Sequence, residues 1–165
     1  MTSGLTNRGK AKILEMAFRN TYDTVAMDAS TGPQFYIALS TVSATFAAGT
    51  TAFDTGTEIF DTAGYTGGGV GVSRSAVGFD VIADTAGGAR GEIQLADVQW
   101  TGGTGGMPKS GAGAYYAVLT DHNESDTSPA GVGSRDVIAW FDMTSARTIG
   151  AGATLTLQDI EIRLT

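Results

Sequence analysis

The 165-residue chain has no cysteine and a single histidine, His122. The first absence excludes disulfides, thiolate zinc sites, cysteine-ligated iron–sulfur clusters and cysteine nucleophiles. The second excludes a multi-histidine metal site within one chain. Bases are scarce as well, 10 against 17 acids, for a formal charge of −7 and a pI near 4.4. Phosphate contacts need a basic footprint, so this balance argues against a nucleic-acid partner. No stretch approaches the ~18–20 consecutive apolar residues of a membrane span, and residues 1–10 lack an apolar run of signal-peptide length. The expectation is a chain made in a cytoplasm, with no membrane partner.

Large aliphatic and aromatic side chains are also few. Leu, Ile, Val and Phe together number 34, near the composition at which disorder begins, but only 16% of residues are charged, which keeps the chain on the folded side. What is abundant is small: 24 Gly, 23 Ala and 23 Thr. Short strands, many turns and a thin core follow, and a thin core is commonly supplemented by oligomerisation or by docking onto a larger body.

Helical periodicity is confined to Leu5–Asn20, where Ala11, Leu14 and Phe18 fall at i, i+3 and i+7 and Ile13 and Ala17 add an i, i+4 pair. Arg8, Lys10, Lys12 and Arg19 lie mostly on the other faces. Residues 1–20 carry +3 and the remaining 145 carry −10. The expected organisation is therefore a short basic N-terminal helix or arm, 1–20, on an acidic single-domain body, 21–165. Either the helix packs on a sheet or the arm grips an acidic neighbour.

The body reads as strands. Gln34–Thr41 alternates, with Phe35, Ile37 and Leu39 opposed to Tyr36, Ala38 and Ser40, as in a half-buried strand. Val42–Gly64 has no clean period and is expected to be a long loop with one short edge strand at Thr57–Phe60. The glycine-dense Tyr65–Val72 predicts a bulge or tight bend. Strands are expected at Val72–Val81, Glu92–Trp100 and Ala114–Thr120, and at Asp136–Asp142, whose apolar interior suggests cover on both faces. At the C-terminus Leu155 and Leu157 are odd-numbered, whereas Ile160, Ile162 and Leu164 are even. The slip at Gln158-Asp159 predicts a bulge or strand break. About seven strands at this spacing predict a mainly β fold, an antiparallel β-sandwich or barrel with one short N-terminal helix.

Catalytic and ligand-binding patterns fail on chemistry. Gly103–Ser110 approaches a phosphate loop, but Pro108 occupies the position of the second glycine and offers no N–H, and a strand follows rather than a helix. His122 lies in a polar stretch, and no serine stands in a nucleophile elbow. Asp121–Asp126 offers oxygens of the kind calcium takes but lacks the spacing of an EF-hand loop. A carboxylate pair formed across strands is invisible in a sequence. Tyr115-Tyr116, Trp100 and Trp140-Phe141 suit either a subunit interface and core or a sugar-stacking platform. No catalytic, cofactor-binding or metal residues are assigned, and no cofactor is expected.

The order of elements is similar to that of a family of small tailed-phage virion proteins often labelled tail fibre or minor structural proteins. The resemblance rests on the strand Gln34–Thr41, the segment Gly67–Phe79, the strand Ile93–Trp100, the strand Ala114–Asp121 and the C-terminal segment Arg147–Leu164. Val70 or Val72 stands where that family carries a tyrosine. The resemblance implies a non-enzymatic virion structural protein assembled in the host cytoplasm, above all a capsid decoration or cement subunit. A tail-associated component or a receptor- or carbohydrate-binding module is the alternative. Implied partners are the major capsid protein or tail proteins, together with further copies of the chain as a homo-oligomer, a trimer among the candidate states. Arg8, Lys10, Lys12, Arg19, Tyr115 and Tyr116 are the candidate interface residues.

Overall fold

A computed structural model describes residues 2–6, 35–59, 64–73, 78–79, 81–84, 91–108, 111–121 and 135–164. These residues are mainly β. Ten strands run β1 (Thr2–Leu5), β2 (Phe35–Ser40), β3 (Val70–Val72), β4 (Val81–Asp84), β5 (Gly91–Leu95), β6 (Val98–Thr101), β7 (Ala114–Thr120), β8 (Val137–Arg147), β9 (Thr154–Leu157) and β10 (Ile160–Leu164). Every pairing among them is antiparallel. They form a five-stranded sheet, β1-β8-β7-β2-β3, a three-stranded sheet, β10-β5-β4, and the two-stranded ribbon β6-β9.

Alternation sets the inner face of the large sheet. Ile37 faces Leu119 and Leu39 faces Ala117 across β2–β7, while Ala117 faces Phe141 across β7–β8. These side chains join Leu95, Trp100, Leu157 and Ile160 from the smaller sheets in one core cluster. Each fully buried Leu, Ile or Phe contributes about 1.5–3 kcal/mol, so the sharing of one core by all three sheets holds them together.

Several sequence expectations need correction. Leu5, the expected start of the N-terminal helix, is the last residue of β1 and pairs with Ala139; the rest of that helix, 7–20, lies outside the described residues. The strand β2 is covered on both faces rather than one, because Phe46 and Phe53 of the 41–54 segment pack with Ala38 and Val118 on its second face. No strand forms at Thr57; a single bridge, Ser40 to Glu58, extends the edge of β2, and Phe60 lies outside the described residues. Val72–Val81 is not continuous: β3 ends at Val72, Gly78 and Phe79 turn, and β4 begins at Val81.

Glu92–Trp100 is broken too, where its apolar residues pass from odd positions, Ile93 and Leu95, to even ones, Val98 and Trp100. The expected break at Gln158-Asp159 is present, with Asp159 at φ 52°. Opposite it, Ala96 and Asp97 separate β5 from β6. Leu95 pairs with Ile160 on one side and Val98 with Leu157 on the other. Two side-chain hydrogen bonds cross the joint: Gln94 Nε2 donates to Asp159 Oδ1 at 3.0 Å, and Gln158 Nε2 donates to Asp97 Oδ2 at 3.2 Å. Both strands therefore kink at one level and pass together from one sheet to the next.

The glycine-dense segment turns as expected, with Gly68 at φ 90° and Gly69 at φ 83°. A Cβ on Gly69 would stand 2.0 Å from the Ile37 carbonyl oxygen. Gly69→Ala thus combines backbone strain with a clash against β2. It is expected to lower stability by about 3 kcal/mol, the upper end for one substitution, as measured by urea unfolding; a loss under 1 kcal/mol would contradict this close approach.

Candidate contact site

Two polar arrangements are built around the large sheet. The first is sealed. On the side of β2 beyond the reach of β3, the backbone of Leu39 is completed by other groups: its N–H donates to Tyr65 Oη at 3.0 Å, and its carbonyl accepts from Ile59 N at 2.9 Å. Tyr65 Oη donates in turn to Glu58 Oε1 at 2.6 Å, which also accepts from Gly68 N at 2.9 Å and Arg135 Nη1 at 3.3 Å. Arg135 Nη2 donates to Glu58 Oε2. The guanidinium lies over the Phe53 ring, 4.2 Å from its centroid. Glu58 and Arg135 are both buried, so each is needed to compensate the other. Desolvation first, then the Glu58 carboxylate, hold the Tyr65 phenol well above its ordinary range.

The second arrangement faces outward. Phe46 packs edge-on to Tyr116 at 5.1 Å and near-parallel to Trp140 and Phe53, each at 6.5 Å. Trp140 in turn lies over Gly4 of β1, where a Cβ would come within 2.9 Å of the indole. Tyr115 and Tyr116 meet at 4.9 Å and 67°. Successive residues of a regular strand point to opposite faces, so this contact requires an irregularity. The β7–β8 register supplies it: Tyr116 faces Asp142 and Ala114 faces Arg147, which leaves Tyr115 opposite the four residues Met143–Ala146. This is an enlarged bulge, and bulges re-aim side chains.

The bulge carries its own strain. Thr144 sits at φ 62°, a conformation β-branched residues seldom adopt. It is held by its N–H to Asp142 Oδ1 and by its hydroxyl to the Met143 carbonyl, each at 2.6 Å. Met143 points into the core, whereas Thr144, Ser145, Ala146 and Arg147 are exposed. Burial first, then the Asp142 carboxylate and the neighbouring Tyr115, raise the Tyr116 phenol above its ordinary value.

Of the expected site residues, the structure brings Tyr115 and Tyr116 together; Arg8, Lys10, Lys12 and Arg19 lie outside the described residues. A sugar platform including Trp100 is overturned. Trp100 is 4% exposed and Phe141 1%, both in the core. The indole Nε1 of Trp100 has no hydrogen-bond partner among the described residues. Of the Asp121–Asp126 oxygens only those of Asp121 are described, and its Oδ1 accepts from Asp136 N at 2.9 Å. Among the described residues no group of three acids or histidines is placed to hold a metal, and no helix is long and apolar enough to cross a membrane. Phe46, Asp142 and Thr144 were missed by sequence reasoning, as was the Glu58–Arg135 pair. No family model matches the chain, and neither do any curated protein or solved structure.

Two outcomes follow for the sealed network. Arg135→Met leaves Glu58 buried and uncompensated and is expected to cost about 3–5 kcal/mol, much of it recovered in Glu58→Leu/Arg135→Met. Chemical denaturation of the three proteins checks this; equal losses in the single and double variants would exclude a compensated pair. For Tyr65, a phenol whose folded pKa lies above its unfolded value of about 10 stabilises the fold below that pH, and the contribution is lost as pH rises beyond it. Unfolding free energy should therefore fall on the alkaline side of pH 10. Tyr65→Phe, less stable at neutral pH because Leu39 N–H loses its acceptor, should show a shallower alkaline fall.

Proposed function

We propose that this chain is a non-enzymatic structural subunit of a bacteriophage particle, in first place a capsid decoration or cement protein, acting by adhesion to neighbouring polypeptides. The ordered resemblance of its segments to small virion proteins motivates the reading. The observation that carries it is the division of labour around the large sheet. The Glu58–Arg135 ion pair is spent inside the body, on sheet backbone and loop closure. Outward, a strand stiffened by packing on both sides ends in an exposed bulge beside two half-buried tyrosines. Tyrosine-rich, preorganised surfaces of this kind suit protein contacts, because large rings bind with little loss of conformational entropy.

On this reading the three sheets stack as an antiparallel sandwich rather than closing as a barrel. The role is played in the virion, after assembly in the host cytoplasm, against the major capsid protein or tail proteins and as a homo-oligomer. Adhesion stabilises the shell by mass action, since a subunit that binds the assembled lattice and not its separated parts favours the lattice, and many copies multiply a weak contact.

Quantitative mass spectrometry of purified particles tests the reading. Copies in the hundreds are expected and identify shell decoration. Six to a few dozen would move the chain to the tail or portal vicinity, and its absence from particles would overturn the structural role.

A further inference from the structure

The bulge opposite Tyr115 places three kinds of group at one spot: two phenol rings in edge-to-face contact, a carboxylate, and backbone held in a strained turn. The Asp142 carboxylate has one oxygen committed to Thr144 N–H; its other oxygen takes no partner among the described residues. Tyr116 and Asp142 are directly opposite in register, so the free oxygen and the rings border one space. Rings beside a carboxylate attract a cation by two additive routes, the negative π-face and the negative charge. Thr144 holds a positive φ that glycine would adopt without strain.

The chain itself carries a matching group. Residues 1–20 hold Arg8, Lys10, Lys12 and Arg19 against Glu15 alone, while the remainder of the chain is strongly acidic. Strand β1 runs from Thr2, opposite Asp142, to Leu5, opposite Ala139. Strand β1 therefore finishes at the end of the sheet away from the bulge, and the basic charge of 1–20 is complementary to the acidic remainder of a neighbouring copy.

We propose that the Tyr115–Tyr116–Asp142 site receives a basic side chain from segment 8–19 of a second copy of this chain, making the contact head-to-tail between copies. Arg147, exposed at the far end of the bulge, has an opposite charge available in Glu15 of the same segment. The inference deepens the adhesive reading above and rests on it. A head-to-tail contact closes into a ring when its rotation permits, and into a trimer at 120°.

Sedimentation equilibrium of the full chain at low and high salt tests it. The wild type should self-associate, more weakly at high salt. Asp142→Asn keeps an acceptor for Thr144 N–H and loses only the charge; it should weaken association about fivefold or more. Tyr115→Leu, outside the ion pair and the core, should act in the same direction, and so should neutralising the four bases to Gln. Asp142→Asn combined with the four-base variant should weaken association no further than the stronger of the two alone. A wild type that stays monomeric, an Asp142→Asn chain that associates like the wild type, fully additive effects, or glycan binding at the tyrosines with association unchanged would each overturn the proposal. The two readings fail separately: absence from particles removes the virion role and leaves the association constants standing, whereas association indifferent to Asp142 removes this contact and leaves the copy number standing.

Discussion

A carboxylate and a guanidinium buried together inside a small β body constrain everything near them. Glu58 and Arg135 lie 77 residues apart in the chain, and neither tolerates its position without the other. Their partners define what is joined. Tyr65 and Gly68 come from the glycine-rich turn, Leu39 from the inner strand β2, and Phe53 from the segment that covers the second face of the large sheet. With few large aliphatic residues to spare, the chain uses directional bonds where a bulkier core would use volume. Such a network adds little net stability over apolar packing, but losing one of its charged members leaves the other buried and uncompensated, at a cost of about 3–5 kcal/mol.

That choice accounts for the unusual cover on β2, β7 and β8. A loop rich in Ala, Thr and Gly is a poor lid, since it has little apolar area to offer. Here Phe46 and Phe53 supply that area, while backbone bonds from Phe53 N to the Arg135 carbonyl and from Val137 N to the Thr51 carbonyl hold the segment down. The central strands can then be apolar on both faces without exposing either, and the aromatic surface at the sheet's end rests on a rigid base.

Local pattern was legible in the sequence wherever period and pairing agree. The alternation in Gln34–Thr41 and Ala114–Thr120 placed two central strands, and the parity change at Gln158-Asp159 located a break to the residue. The glycine run before Val70 marked its turn because nothing else reaches positive φ there at low cost. The same kind of parity change, from Ile93 and Leu95 to Val98 and Trp100, marks the interruption at Ala96-Asp97, within a run expected to be one continuous strand. What else escaped was non-local. The bulge in β8 sits in a run whose composition continues as strand, and only register reveals that Tyr115 faces four residues. Tyr115 and Tyr116 were legible as candidates from their chemistry, but Asp142 looked like the polar end of a buried strand. The Glu58–Arg135 pair had no signal, because two ordinary charges far apart in sequence carry no mark of being neighbours.

The matched kinks between β5 and β6 and between β9 and β10 set a rule for how this protein can change. Each joint spends two residues on either side, and the reciprocal amide–carboxylate bonds of Gln94 with Asp159 and of Gln158 with Asp97 tie the two sides to the same count. Loss or gain of one residue on a single side would turn the following strand over and bring its polar face inward. Among descendants of this chain, length variation at 96–97 should therefore arise only alongside an equal change at 158–159.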